Sequence, residues 1–473
     1  MIGKQDRWQE ELFVACPLSE LIPEDHVLKR VDKVLDLSWL REEVRELYNE
    51  TQGRPSIDPE SAVRLMLAGF FQGIVHDRKL MREAQVNLAI RWFAGYKLHE
   101  KLPHHSSLTR IRQRWGAERF KRIFHKTVQL CADAGLVDGE TVHMDATLIR
   151  ADVSWASLTE HHAERVLEEN VLEEEQGRDG VQNRAGKAKK RSTTDPDATM
   201  TTSSSTYRME PSFKQHTGVD DAAGVIVDVE VTTGEASEGE RLAEQLERIE
   251  AATGKKVATV TGDSAYAHSS NYALLEERDT DAVIPPQAER RKAKRIPWRR
   301  FKYDAKHGLV RCPGGKVLHR GSRGKNGWWY RAKAADCRSC PLQERCVSAS
   351  ASSRSVLIVD GYEALLRARR RPRRWDEATQ GIYTRHRWRV EGVHAEAKTR
   401  HGLRRAVRRG LANVAIQAYL TAAVINLKRL AAFLLLFSPK YVVRGRRFAV
   451  AKANWSSLSG FFRSQLRNAQ AAA

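Results

Sequence analysis

The chain has 473 residues, enough for about three domains at roughly 150 residues each. Its 80 Lys and Arg against 59 Asp and Glu leave a net charge of +21, which points to a polyanionic partner, nucleic acid ahead of an anionic membrane surface. With 41% hydrophobic residues and 11 Trp it is no disordered chain, its most apolar stretch (415–437) is cut by Lys428 and Arg429, which argues against a membrane span, and six Cys in this length are no secreted disulfide framework.

The N-terminal MIGKQDRWQEEL lacks an apolar signal core, so a cytoplasmic location is expected. Residues 1–140 read as helical. Asp58-Pro59 is a cap and first-turn pair opening an apolar-periodic run through Ala62, Leu65, Met66 and Phe70. Further helices are predicted over 77–93, over 108–115 behind a Ser106-Ser107 cap, and over 117–134, closed by Gly135. Thr141–Arg150 then alternates with period two and reads as a strand. An acidic stretch (161–176) and a polar one (177–206) precede two predicted strands, 213–219 and 224–232. A helix over 239–252, a short strand over 256–261 and another at 281–284 complete a mixed α/β sheet. After a Gly-, Cys- and Arg-rich segment the chain closes in two helices, 383–401 and Leu411–Leu435.

The charge is concentrated. Between Arg367 and Arg409, 15 Arg and Lys face four acids, so 43 residues carry +11, and 290–302 holds eight basic residues and no acid. Such runs read as tracks for phosphate backbones.

Three acids stand out against this background. Asp145 lies in the first strand, on the face opposite Val142 and Met144, and Asp263 follows the strand KVATVT, at a strand end where sites of open sheets gather. On the helix over 383–401, Arg387, Glu391, His394 and Lys398 form one stripe beside an apolar stripe of Val390, Val393 and Ala397. Glu396 is a rival third acid off that stripe. Two aspartates and one glutamate can hold two Mg²⁺ ions roughly 3.5–4 Å apart for in-line attack on a phosphodiester, with Mn²⁺ as a substitute and zinc disfavoured by oxygen-only ligands. Arg387 and Lys398 would grip a phosphate beside them, and Arg404, Arg405, Arg408 and Arg409 extend the DNA-binding track. Cys337-x2-Cys340-x5-Cys346 with Cys312 upstream makes a four-thiolate set suited to structural Zn²⁺, an iron–sulfur cluster or unligated structural thiols being the alternatives. Trp298, Trp328 and Trp329 lie in basic or Gly-rich surroundings, where each either stacks on an unpaired base or packs.

The chain resembles the bacterial insertion-sequence DDE transposases with an RNase-H-like catalytic domain. The resemblance is carried by GRPSIDPESAVRLMLAGFFQGI (53–74), NLAIRWFAGY (87–96) and PHHSSLTRIRQR (103–114), similar to an N-terminal helical transposase domain. Further along it is carried by HMDATLIRADVS (143–154), FKQHTGVDDAAGVIVDVEVTTG (213–234), VTGDSAY (260–266) and RWRVEGVHAEAKTRHGLRRAVRRGLANV (387–414), the last with the spacing Arg-x3-Glu-x6-Lys. The family signature places a Tyr three residues before that Arg, whereas here position 384 is Thr and Tyr383 stands one residue earlier. The resemblance implies cleavage at the element's terminal inverted repeats and strand transfer into target DNA, on double-stranded DNA, with a homodimer at synapsis and no membrane. It also implies a mixed α/β, RNase-H-like core with an N-terminal all-α domain and a Cys-rich insertion. The expected boundaries are a helical DNA-binding domain (1–140), a catalytic core (141–285 and 381–437) split by a Cys-rich basic insertion (286–380), and a basic tail (438–473). The rival readings are an RNase-H-like nuclease that cuts without joining and a domesticated, non-catalytic DNA-binding protein.

Overall fold

The computed structural model describes residues 16–49, 56–154, 158–160, 190–202, 208–287, 295–371 and 375–435. The acidic stretch at 161–176, most of the polar stretch after it, part of the basic run at 290–302 and the tail at 438–473 lie outside the described residues.

Five strands make the central sheet: β1 (Thr141–Arg150), β2 (Glu210–Asp220), β3 (Ile226–Thr233), β4 (Thr259–Gly262) and β5 (Asp281–Val283). β2 runs antiparallel between β1 and β3, while β4 lies parallel to β1 and β5 parallel to β4, giving the order β3-β2-β1-β4-β5. This is the RNase-H-like core that the resemblance implied. Three short strands (Leu158–Glu160, Lys190–Ser192, Thr199–Thr201) extend the sheet beyond the start of β2. Both faces are covered, so β2 and β3 are buried along nearly their whole length instead of alternating.

The N-terminal helices follow from their caps. In α1 (Pro59–Phe71), Asp58 accepts the amide hydrogen of Ser61 at 2.9 Å and Pro59 takes a position that needs no donor. The expected helix over 77–93 is two, α2 (Asp77–Val86) and α3 (Leu88–Phe93), because Asn87 takes an extended backbone and caps the second through Ile90 at 3.1 Å. The two helices expected over 108–134 abut as α4 (His105–Asp133), capped by His104 rather than the serines and kinked at Gly116, whose φ of 69° suits only glycine.

α4 packs against the long final helix Leu411–Leu435, which also lies on β3. Asn426, fully buried in that helix, completes β3 as a strand neighbour would: its Oδ1 accepts from Ile226 N at 2.9 Å and its Nδ2 donates to Ile226 O at 2.8 Å. The last helix is thus the spine between the sheet and the N-terminal helices, and one continuous core joins all three. Among the described residues no helix is long and apolar enough to cross a membrane.

Where the sequence shows only a Gly-, Cys- and Arg-rich stretch, the chain builds a second, antiparallel five-stranded sheet. Its strands are β6 (Lys302–Asp304), β7 (Leu309–Arg311), β8 (Val317–Gly324), β9 (Gly327–Arg331) and β10 (Ser355–Val359), in sequential order. Phe301, Val310, Leu318, Tyr330, Val356 and Ile358 form its separate small core with Cys337 and Cys346. Helix Tyr362–Arg370 ties it to helix Ser269–Glu277 of the central domain. The join is tight: a Cβ on Gly361 would lie 2.5 Å from the Ser269 carbonyl oxygen.

Candidate active site

One helix runs from Glu377 to Arg400, longer than the predicted 383–401 at its start because Asp376 caps it through Thr379 N at 2.8 Å. Its middle turn, Arg387–Glu391, is π-helical. A π-turn holds one residue more than an α-turn and is frequent at functional sites. Tyr383 borders both acids, since burial and the charges of Asp263 and Glu391 push its hydroxyl pKa up. The apolar stripe Val390, Val393 and Ala397 is buried as the periodicity requires.

Asp145 sits in β1 opposite Thr217 of β2, half-buried, with Oδ2 at 3.4 Å from His394 Nδ1. Burial raises its pKa, but the hydrogen bond and charge of His394 outweigh that and hold it below the ordinary range. His394 is therefore not on the exposed stripe. It turns inward, with Nε2 at 3.0 Å from the Thr217 hydroxyl, which accepts from the Gln215 amide at 3.0 Å.

Asp263 follows β4 and is exposed, its Oδ1 accepting from Ala265 N at 2.8 Å. Burial and the charge of Asp145 push its pKa up against that hydrogen bond. Glu391, 58% exposed, lies beside Arg387 Nε at 3.7 Å. Lys398 is half-buried, between the charges of Asp145, Arg404 and Arg150, and burial lowers its pKa. The loop after the helix runs along the end of β1, Arg150 N donating to Arg404 O at 3.2 Å and Ala406 N to Arg150 O at 2.8 Å, which brings Arg404 and Arg405 to that strand end.

One expectation changes. Arg408 is withdrawn from the phosphate track, because its guanidinium lies 2.7 Å from Asp77, already bound by Arg112 at 2.8 and 2.9 Å. Arg405 and Arg409 touch Asp152, at 3.5 Å through its carboxylate and 3.3 Å through its carbonyl, and stay on the surface. The rival acid Glu396 faces the last helix instead of the aspartates, held by Lys428, His401 and Arg429. Burial would raise its pKa, but those partners hold it at about 2. Its unfolded value is about 4.3, so this stabilisation is complete above that pH and fades as pH falls from about 4 toward 2. The urea midpoint of the wild type should therefore drop more between pH 5 and pH 3 than that of Glu396→Gln, and parallel curves would refute this.

Several residues of the site carry no sequence signal. Glu238, in the loop after β3, feels the charges of Asp263 and Asp145 and pairs with Lys214 at 3.2 Å, while burial raises its pKa. The Tyr266 hydroxyl is buried beside Asp145, Glu238 and Asp263, with no hydrogen-bond partner among the described residues. Trp388 is 75% exposed on the π-turn itself.

A buried relay ties the glutamate helix to both aspartate strands. Burial lowers the pKa of His143 and holds His386 at about 4, so both rings are neutral at pH 7, with one donor each. His143 Nε2 donates to Asp221 at 3.0 Å and its Nδ1 accepts from the Thr261 hydroxyl at 2.7 Å, which in turn accepts from His386 Nδ1 at 2.7 Å. Arg385 clamps Asp221 with contacts at 2.7–3.0 Å, and Arg389 reaches it at 3.5 Å. Burial would raise the Asp221 pKa, but His143 and Arg385 hold it well below the usual range. Thr261→Val keeps the shape and removes the relay hydroxyl. We expect a 10- to 100-fold fall in turnover, roughly the cost of losing a supporting contact behind a metal site, with unchanged DNA affinity and recovery in Thr261→Ser. Equal turnover in Thr261→Val and wild type would refute it.

Among the described residues no group of three or more His, Cys, Asp or Glu is arranged so that it could hold a metal ion. The donor chemistry nevertheless suits a hard divalent cation at the aspartates: oxygen-only donors, one carboxylate raising the pKa of the next, and the buried Tyr266 hydroxyl beside them, without a partner among the described residues. Glu391 stands outside this pair. The four cysteines are reduced and converge, with Cys312, Cys337, Cys340 and Cys346 lining one small pocket with Ile296 and Leu342. Burial and the other three thiols raise the Cys346 pKa, and Lys316 N points at Cys312 Sγ at 3.3 Å.

A transposase domain (DUF772) matches residues 17–114, and a transposase DDE domain matches residues 311–431. The second match takes in the cysteines and the Glu391 helix but neither aspartate. No curated protein matches. Among solved structures, a synaptic complex of piggyBac transposase with hairpin DNA is 10% identical, with 87% of this chain and 79% of that one covered and a TM-score of 0.29. A Mos1 transposase paired-end complex with the left transposon end is 11% identical, covering 52% and 65%, TM-score 0.17. A Mos1 mariner paired-end complex with Mn is 12% identical, covering 52% and 64%, TM-score 0.16. With a transposase domain over its N-terminal helices and a transposase DDE domain from the second sheet through the last helix, the chain belongs to the DDE transposases.

Proposed function

We propose that this DNA transposase cuts and joins the ends of an insertion sequence with Asp145, Asp263 and Glu391 as its catalytic acids. The observation that carries the reading is the convergence of Asp145 and Asp263 from adjacent parallel strands on the helix that bears Glu391. These three would hold divalent cations, Mg²⁺ with Mn²⁺ as a substitute, which when bound neutralise the phosphate and activate the attacking oxygen. The chain's own residues do the rest. His394 orients the Asp145 carboxylate, the Thr261 relay sets the helix against both strands, and Arg387, Lys398 and Arg404 line the approach as phosphate contacts. Arg405 and Arg409 extend that track on the surface. Two ends handled together imply a homodimer at synapsis, on terminal inverted repeats and target DNA.

The test is Mg²⁺-dependent cleavage of a duplex carrying the inverted repeat, followed by strand transfer from pre-cut ends. Cleavage without transfer would favour a nuclease, and binding without either a domesticated DNA-binding protein. We also propose that the four thiols hold a structural ion, zinc by donor type and an iron–sulfur cluster as the alternative. Metal analysis of the purified chain separates these, and neither Zn nor Fe near stoichiometry would leave the thiols unligated. The boundaries at 140, 285, 380 and 437 remain our domain proposal.

A further inference from the structure

The three tryptophans of the basic second sheet have different fates. Trp298 is held edge-on to Tyr362 and under the Arg369 guanidinium at 4.3 Å. Trp328 faces inward, with Arg320 at 3.5 Å and Arg323 at 5.3 Å over its ring. Trp329, the next residue in the strand, points to the other side and is 39% exposed.

That outer side has a consistent character. Leu318, Tyr330, Val310 and Val356 turn into the small core, so strand alternation sends their neighbours outward. Arg311 pairs across the strands with Lys302, His319 with Arg331, and Trp329 with Leu357. Lys302, Arg311, His319 and Arg331 are all exposed. Neither Trp329 nor Leu357 packs into either hydrophobic core. Gly324 backs the indole, since a Cβ there would lie 3.2 Å from Trp329 Nε1 and 3.3 Å from Leu357 Cδ1. Asp304 is the acid on this face, at its edge, and is paired with His307 at 2.8 Å. Through Gly361 and Ser269 the sheet is fixed to the helix that follows Asp263.

We propose that this outer face holds an unpaired DNA strand, with a base stacked on Trp329 and phosphates against Lys302, Arg311 and Arg331. A sheet face with one half-exposed aromatic among cations is a stacking platform for a base and its phosphates. Its join to helix Ser269–Glu277, which follows Asp263 in the chain, fixes the platform to the domain that carries the aspartates. The inference rests on the reading that the chain acts on DNA.

The test measures binding of the full chain to one labelled oligonucleotide, single-stranded and as a duplex, over a salt series. Trp329→Ala should weaken single-strand binding roughly 5- to 150-fold, as expected from losing one stacked base, with duplex binding changed less than about twofold and Trp329→Phe close to wild type. The double variant Arg311→Ala/Arg331→Ala should flatten the single-strand salt slope by about 1.4. Unchanged single-strand affinity and slope, or an equal loss on duplex, overturns the platform. Should Trp329→Ala lower the thermal midpoint, the exposed arginine pair decides alone. A wild type that binds no DNA in any form would instead overturn the proposed function.

Discussion

Asp145→Asn is expected to slow end cleavage by at least about three orders of magnitude, roughly 4 kcal/mol in the barrier, with DNA affinity nearly unchanged. Asparagine keeps the size of the side chain and leaves β1 paired with Thr217, and its amide oxygen still accepts from His394 Nδ1. What is lost is the negative charge, the property a cation ligand beside a phosphodiester must have. Asp263→Asn and Glu391→Gln should fail in the same way. Glu396→Gln should not, because Glu396 faces Lys428 and Arg429 on the last helix. The discriminating experiment is single-turnover cleavage of a labelled end by all four variants. Retained Mg²⁺-dependent cleavage in the three proposed catalytic variants would sink the assignment, and loss in Glu396→Gln alone would transfer it.

The second large effect concerns stability. Asp77 is buried under Arg112 with two contacts, at 2.8 and 2.9 Å, and also accepts from Arg408 at 2.7 Å and Thr109 at 3.2 Å. Burial would raise its pKa, and the two arginines overcome that and lower it. Arg112, 3% exposed, has no other acid partner in the structure described. Asp77→Ala therefore leaves a buried guanidinium uncompensated, which typically costs about 3–5 kcal/mol. Urea unfolding should show a midpoint well below wild type, and Arg408→Ala, which removes only the outer partner, should cost less. A midpoint within experimental error of wild type would show that Arg112 finds water or another acceptor. Because Arg408 belongs to the loop after the Glu377–Arg400 helix, Asp77→Ala should also loosen the contact between the N-terminal helices and that loop.

The parts read correctly from sequence are those that local chemistry determines. Strict alternation marked Thr141–Arg150, and a long apolar run marked Leu411–Leu435, both to the residue. Periodicity also placed Val390, Val393 and Ala397 in the core. It ran on through Asn87 because a capping side chain leaves the apolar spacing on either side intact. Asp77 and Arg112 are 35 residues apart, and Thr261 and His386 125, so no window of sequence could have paired them. The second sheet was illegible for another reason. Its strands are short and expose charged residues on one face, the composition of a loop. Glu238 looked like any surface glutamate, and only the fold brings it near Asp145 and Asp263.

The wide turn at Arg387–Glu391 has a consequence for how such a chain can change over generations. A residue added inside an ordinary helix would rotate everything beyond it by about 100° and carry an acid off its target. Here both ends are pinned, one by the His386 relay and the Arg385 clamp, the other by His394 on Asp145. The wide turn lies between these anchors as a local widening, and Tyr383 and Glu391 share one neighbourhood. A residue lost from that turn would leave both anchors in place, which no other turn of this helix allows.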